Sequence, residues 1–222
     1  MRELIGFDMD GVILDSDRPD DTWFRDSFVR TLQDFGVEPT EENIRELYIS
    51  SMRDNFVAVC ERLGIDDPHI LWKRRDENYI AYKLAALERE EIQLFPDTAV
   101  LFRLGERYPL GLVSNSPQAV VDMVIEHFSL QHVFKVWFGR GDTLPSLQFA
   151  KPSPQMLLEM MGRLHATRGY YVGDRPEDIV AARAAGLTPI SISRDGNDGD
   201  IRSLEELPEL IAQTRATVIG NE

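Results

Sequence analysis

Near its start, the chain runs through four apolar-rich residues (4–7) straight into Asp8 and Asp10, with Gly11 behind them. A short apolar run that stops at a charged loop is the pattern of a buried strand. In an open α/β sheet, the carboxyl edge of such strands is where ligands bind. Two carboxylates placed there repel each other, and both stay ionised only if they share a cation. The pair alone is weak, because the chain has twenty aspartates and repeats the spacing at Asp15/Asp17 and Asp198/Asp200. Only Asp8/Asp10 stands at the carboxyl end of a predicted buried strand with a glycine, Gly11, directly behind it. Later stretches end in a related way: residues 110–113 lead into Ser114 and Asn115, and residues 170–172 into Gly173 and Asp174, with Asp178 four positions on. Lys151, one of only four lysines, precedes Pro152 and a helical pattern. Singly, Ser114 fits a helix cap, Lys151 a solvated cation and Asp174 a turn. Together they set carboxylates, one ammonium and small hydrogen-bonding side chains along one sheet edge.

The elements that would hold these residues alternate. Apolar runs at 4–7, 110–113, 133–138, 170–172 and 189–192 read as strands, and residues 97–107, 117–128, 153–164 and 176–185 carry helical spacing. Gly186 ends the last of these. Such alternation predicts an α/β fold, a Rossmann-like parallel sheet with helices on both faces. Residues 18–91 break the pattern with helical periodicity alone. Phe24, Phe28, Leu32 and Phe35 share a face before Gly36. Ser51 and Asp54 resemble a capping box ahead of Phe56, Cys60 and Leu63, and Asp67 with Pro68 opens a further helix. The expected organisation is a core of residues 1–17 and 92–222 with a helical insertion at 18–91, hinged at 14–19 and 91–96.

Composition narrows the partners. The 222 residues hold 38 acidic and 24 basic side chains, a formal charge of −14. Sequence-independent nucleic-acid binding needs basic residues against phosphates, so it is not expected. No run of eighteen apolar residues marks a membrane span, and the N-terminal apolar stretch is too short for a signal-peptide core. Cys60 is the single cysteine, which fits a reducing compartment and a cytoplasmic setting.

The four stretches, residues 7–12 (Phe-Asp-Met-Asp-Gly-Val), 113–115 (Val-Ser-Asn), Lys151-Pro152 and Gly173-Asp174 with Asp178, resemble the signatures of the haloacid dehalogenase-like superfamily of phosphotransferases. The resemblance spans the chain, the insertion being similar to that family's helical cap, and points to its phosphoglycolate phosphatase and β-phosphoglucomutase branch. It implies that Asp8 attacks phosphorus and that Asp10 serves as acid toward the leaving alkoxide, then as base for water. It also implies Mg2+ held by Asp8, the Asp10 carbonyl and Asp174, with Asp178 binding directly or through water. Ser114 and the Asn115 N–H would hold phosphoryl oxygens, and Lys151 would neutralise them. The expected partner is a small phosphorylated metabolite. Asp10 favours phosphate-ester chemistry over dehalogenation, and with Asp174 it argues against a non-catalytic phospho-ligand sensor.

The alternative is a sugar-phosphate mutase, which must hold a second phosphate. Arg53, beside an expected turn at 50–54, would serve, as would Lys73, Arg74, Arg75 or Lys83. Their plainer roles are an exposed helix-end charge for Arg53 and a solvated helix face for Lys73–Arg75. The Asp195–Asp200 loop departs from a calcium loop at its fifth and sixth positions and reads as a mobile acidic loop. Gly139-Arg140-Gly141 lacks the third glycine of a dinucleotide fingerprint. The four histidines fall outside every signature, and Trp23 and Trp72 read as packing residues.

Overall fold

A computed structural model describes residues 3–16, 22–196 and 198–219, with backbone alone at 215–219. Asp17, half of the first expected hinge (17–19) and Asn197 of the acidic loop lie outside these residues. Five parallel strands form the sheet: β1 (Glu3–Phe7), β4 (Leu110–Pro117), β5 (Val136–Arg140), β6 (Arg168–Gly173) and β7 (Thr188–Ser191), in the order β5-β4-β1-β6-β7. Their side chains alternate between two cores, as a pleated strand requires. Ile5, Leu112 and Tyr170 join one apolar cluster with Val120 and Val124. Leu4, Val113 and Tyr171 join the other with Met156, Met160 and Ala181. The helices that cover these faces include α6 (Gln118–His127) on one side, and α7 (Gln155–Arg163) and α8 (Pro176–Ala184) on the other. Helix α7 approaches so closely that a Cβ on Gly6 would stand 2.7 Å from Met160 Cε.

Between β1 and β4 the chain leaves the sheet. Two short strands, β2 (Leu14–Asp15) and β3 (Gln93–Leu94), pair antiparallel, so the outgoing and returning segments run side by side at the expected hinges. Beyond them lie α1 (Trp23–Asp34), α2 (Glu41–Glu46), α3 (Ile49–Leu63) and α4 (Pro68–Glu88). Asp67 caps α4 by accepting from the His69 and Ile70 amides, and Gly36 and Gly64 take positive φ past α1 and α3. The remaining helices are α5 (Val100–Gly105) and the C-terminal α9 (Leu207–Ile219). Insertion and core share one apolar cluster that runs from Phe28 and Trp72 to Phe7 and Val120.

Several local expectations are corrected. Helix α3 begins after Tyr48, so there is no capping box at Ser51, whose hydroxyl donates to the Arg45 carbonyl. Residues 50–54 are helical, and the break falls at Asn55. Strand β5 starts at Val136, because a 3-10 turn at Leu130–His132 precedes it and Val133 and Phe134 pack as buried irregular chain. The helix expected at 97–107 is a 3-10 turn followed by the short α5. There the Asp97 carboxylate is taken by the Leu204 amide, Ser203 and Arg194.

Candidate active site

The carboxyl ends of β1, β4 and β6 meet below the insertion and enclose a cavity of about 790 Å3. Asp8 ends β1, its amide donating to Val172 O at 2.8 Å. Lys151 reaches it from the loop before α7: Nζ stands 2.8 Å from Asp8 Oδ1 and 2.5 Å from Asp178 Oδ1. The same ammonium donates to Val113 O and to the Tyr171 hydroxyl, which fixes its position. Oxygens of Asp8, Asp174 and Asp178 all lie within 4.8 Å of one another. Asp178 sits in the first turn of α8, where its Oδ2 accepts from the Arg175 amide. Gly11 takes φ +74° beneath this group, and a Cβ there would collide with the Asp174 carboxylate.

Three carboxylates face one buried ammonium and the exposed Arg175 guanidinium, 3.2 Å from Asp174 Oδ2, which leaves negative charge uncompensated. Burial, then Asp178, raises Asp8 well above the usual carboxylate range, and the same two causes push Asp174 up to about 7. Burial alone would lower Lys151, yet Asp178 and Asp8 raise it well above its ordinary value.

Asp10, two residues on, has a different setting. Residues 9–14 form a tight turn that returns the chain to Leu14. The Asp10 carboxylate accepts from Ser16 at 2.7 Å, Ser116 at 3.0 Å and Lys83 of α4 at 2.5 Å. Burial alone would raise this group, but Lys83 first, then Ser16 and Ser116, bring it below its ordinary value.

Ser114 is buried, and its Oγ accepts from the Ser116 amide. The Asn115 side chain clasps Lys151, with Nδ2 donating to its carbonyl at 3.0 Å and Oδ1 accepting from its amide at 2.8 Å. Arg53 is half-buried, not an exposed helix-end charge. It pairs with Asp54 and donates to Lys151 O at 3.3 Å. Asp8, Asp10, Arg53, Ser114, Asn115, Lys151, Asp174 and Asp178 therefore line one cavity, whereas Lys73, Arg74 and Lys83 do not.

A protein-family model described as haloacid dehalogenase-like hydrolase matches residues 5–192. The chain belongs to this family. A phosphoglycolate phosphatase of Aliivibrio fischeri is 30% identical over 210 residues, covering 89% of this chain and 87% of that one. Among solved structures, a predicted phosphoglycolate phosphatase from Haemophilus somnus superposes with a TM-score of 0.67 at 22% identity, covering 95% of this chain and 98% of the other. A HAD phosphatase from Thermococcus onnurineus gives 0.61 at 23% identity, covering 94% and 97%. At such identities these two structures speak to the fold.

The donor set of this hydrolase suits a hard divalent cation. It is all oxygen, and among the described residues the buried Asp174 Oδ1 has no hydrogen-bond donor. Sequence reasoning did not find Ser116 or Tyr79, whose hydroxyls lie 2.9 Å apart beside Asp10. It placed Lys83 and Arg75 in the insertion without their partners. Lys73 and Arg74 are solvated as expected, but Arg75 is buried among aromatic rings. Tyr79 and Lys83, four residues apart on one helix face, were the available signal. Trp23 packs as expected and also lines the cavity, whereas the four histidines are exposed. Asp200 accepts from Ser191, a structural role in the acidic loop.

Proposed function

We propose that this hydrolase is a Mg2+-dependent phosphatase that cleaves a small phosphomonoester through an aspartyl-phosphate at Asp8. The observation that carries this reading is the contrast at the end of β1, where Asp8 beside Lys151 shares a crowded carboxylate cluster whose charge a divalent cation would offset, while Asp10 is held apart by its own ammonium. Asp8, Asp174 and Asp178, with the Asp10 carbonyl, are the residues that would hold the ion. When bound, Mg2+ supplies positive charge against the phosphoryl oxygens.

In the first half-reaction an Asp8 oxygen forms a bond to phosphorus as the bond to the alcohol oxygen breaks, and Asp10, loaded with a proton from solvent against the pull of Lys83, gives it to the departing alkoxide. In the second, Asp10 takes a proton from water as that water attacks phosphorus, which frees Asp8 and releases inorganic phosphate. Lys151 balances charge on the phosphoryl group, and the Ser114 hydroxyl and Asn115 amide hold its oxygens. The Asn115 side chain orients Lys151 through its backbone. The insertion acts as a cap over residues 18–91. Arg53 is committed to Asp54 and the Lys151 carbonyl, so no specific contact favours the mutase reading. A cytoplasmic setting is proposed from the lone, buried Cys60. Among the described residues, no helix is long and apolar enough to cross a membrane.

The relatives' name makes phosphoglycolate the first substrate to assay. Phosphate release should require Mg2+ and should fall at least about 10³-fold in Asp8→Asn. Equal turnover in EDTA, or an active Asp8→Asn enzyme, contradicts the reading.

A further inference from the structure

A second group of buried charges faces the same cavity, and none of the roles above uses it. Arg75 and Asp76 are neighbours on α4, and Arg140 ends β5, so the group joins cap to core. All three are at most 5% exposed. Arg140 holds Asp76 with two bonds, Nη1 to Oδ2 at 2.7 Å and Nη2 to Oδ1 at 2.6 Å, and also donates to Gly141 O. Arg75 adds a third bond to Asp76, from Nη1 to Oδ1 at 2.8 Å, and donates through Nε to Leu47 O. One carboxylate therefore serves two guanidinium groups, and one positive charge is left over in a buried place.

The surplus is not spent on structure. A latch between cap and core needs one cation for one anion, as Lys83 and Asp10 show nearby. Here a donor remains unused: among the described residues, Arg140 Nε is buried without an acceptor. Aromatic faces stabilise the pair, with Trp72 5.0 Å from Arg75 Cζ and 4.6 Å from Arg140 Cζ, but they offer no hydrogen-bond acceptor. Trp72 is itself fixed by its bond to Asp142 O. Burial and the neighbouring Arg140 draw the Arg75 guanidinium below its ordinary value, as an excess of like charge should. Both arginines line the cavity that holds Asp8 and Lys151.

We infer that Arg75 and Arg140 form a preorganised subsite for a carboxylate on the leaving-group side of the substrate. The charge balance selects the group: a surplus of one positive charge matches a carboxylate, whereas a phosphate dianion would leave negative charge buried. Two guanidinium groups also suit the paired oxygens of a carboxylate. The inference rests on the phosphatase reading and narrows it, to phosphomonoesters whose alcohol part is an acid.

The test separates binding from turnover. Affinities of 3-phosphonopropionate and its carboxamide, two non-hydrolysable compounds of nearly equal shape, are measured by calorimetry with Mg2+ present. The carboxylate compound should bind about 10- to 100-fold more tightly, the range for a hydrogen bond to a charged group. In Arg75→Gln, which keeps the Arg140–Asp76 pair, that preference should fall to within about threefold. Equal binding of the two compounds by the wild-type protein, no binding of either, or a preference undiminished in Arg75→Gln overturns the subsite. If the variant does not fold, the wild-type comparison decides alone. Phosphate release from phosphoglycolate is assayed in parallel. A preserved binding preference without release overturns the phosphatase reading and leaves the subsite standing, and release with equal binding does the reverse.

Discussion

Asp8 and Asp10 stand two residues apart at the end of one strand, and their surroundings drive them in opposite directions. Asp8 shares a single ammonium with Asp178 while Asp174 crowds the same space, so its carboxylate is raised. Asp10 has an ammonium of its own and two hydroxyls, and its carboxylate is lowered. The counter-charge differs in origin too. Lys151 comes from the core and is tied to Val113, Tyr171 and Asn115, whereas Lys83 comes from the cap. One carboxylate thus takes its counter-charge from the core, and the other takes it from the cap. This is how a fold keeps a nucleophile and a proton carrier distinct when both are aspartates.

Removing Lys151 should break the comparison most severely. At an effective dielectric near 20, a unit charge pair about 4 Å apart is worth about 4 kcal/mol, so Lys151→Met should cost about 10³-fold in kcat/KM at saturating Mg2+. Steady-state kinetics reads this directly, and a loss under tenfold would mean that Lys151 is peripheral.

Lys83→Met should do less to turnover, at most about 10²-fold, because Lys83 acts only through Asp10. It should lower stability by about 1–3 kcal/mol, since it leaves the half-buried Asp10 carboxylate with two hydroxyl donors and no counter-charge. Its distinguishing mark is pH. The lowered Asp10 contributes stability that is present above its ordinary value and is lost only as pH falls through the lowered one. The raised Lys83 contributes stability that is lost only as pH rises through its raised value. The pair is therefore constant across neutral pH, and without Lys83 the acid limb of the kcat profile, where Asp10 must be unprotonated to take a proton from water, should move to higher pH. An unmoved limb would separate Asp10 from the proton transfers.

The smallest effect concerns the metal. Without an ion, Asp174 is pushed up to about 7, so its charged form is disfavoured in the folded state. Metal-free protein should gain stability as pH falls from 8 to 6. Mg2+ must displace that proton, so its affinity should rise with pH through 7, by up to about tenfold per unit. Thermal unfolding with and without Mg2+ at several pH values checks both directions.

How far the sequence reveals this arrangement depends on where each residue sits. Asp8, Ser114 and Asp174 close apolar runs, and Asp178 falls in the first turn of a helix, so local pattern and sheet topology place them. The parallel sheet and its inserted helices are legible for the same reason. Lys83, Arg75 and Arg140 carry no such signal. Helix α4 buries Leu71, Trp72, Arg75, Tyr79, Lys83 and Leu87, positions that share one face, but charged and apolar residues are mixed on it, so no apolar stripe marks which polar residues point inward. That Lys83 meets Asp10, or Arg140 meets Asp76, follows only from how the cap seats on the core. The starts of α3 and β5 were misplaced because a capping pair and an apolar run also occur inside a helix and in irregular buried chain.

The central claim, that Asp8 and not Asp10 takes the phosphoryl group, can be tested on the protein itself. Asp10→Asn enzyme is mixed with an aryl phosphate and Mg2+, whose good leaving group needs no acid, so that the acyl phosphate accumulates for want of a base. Quenching in borohydride reduces an acyl phosphate to the alcohol, and peptide mass spectrometry locates it. The account predicts homoserine at position 8, dependent on both substrate and Mg2+. Burst release of the aryl alcohol with Asp8 left unreduced would contradict it.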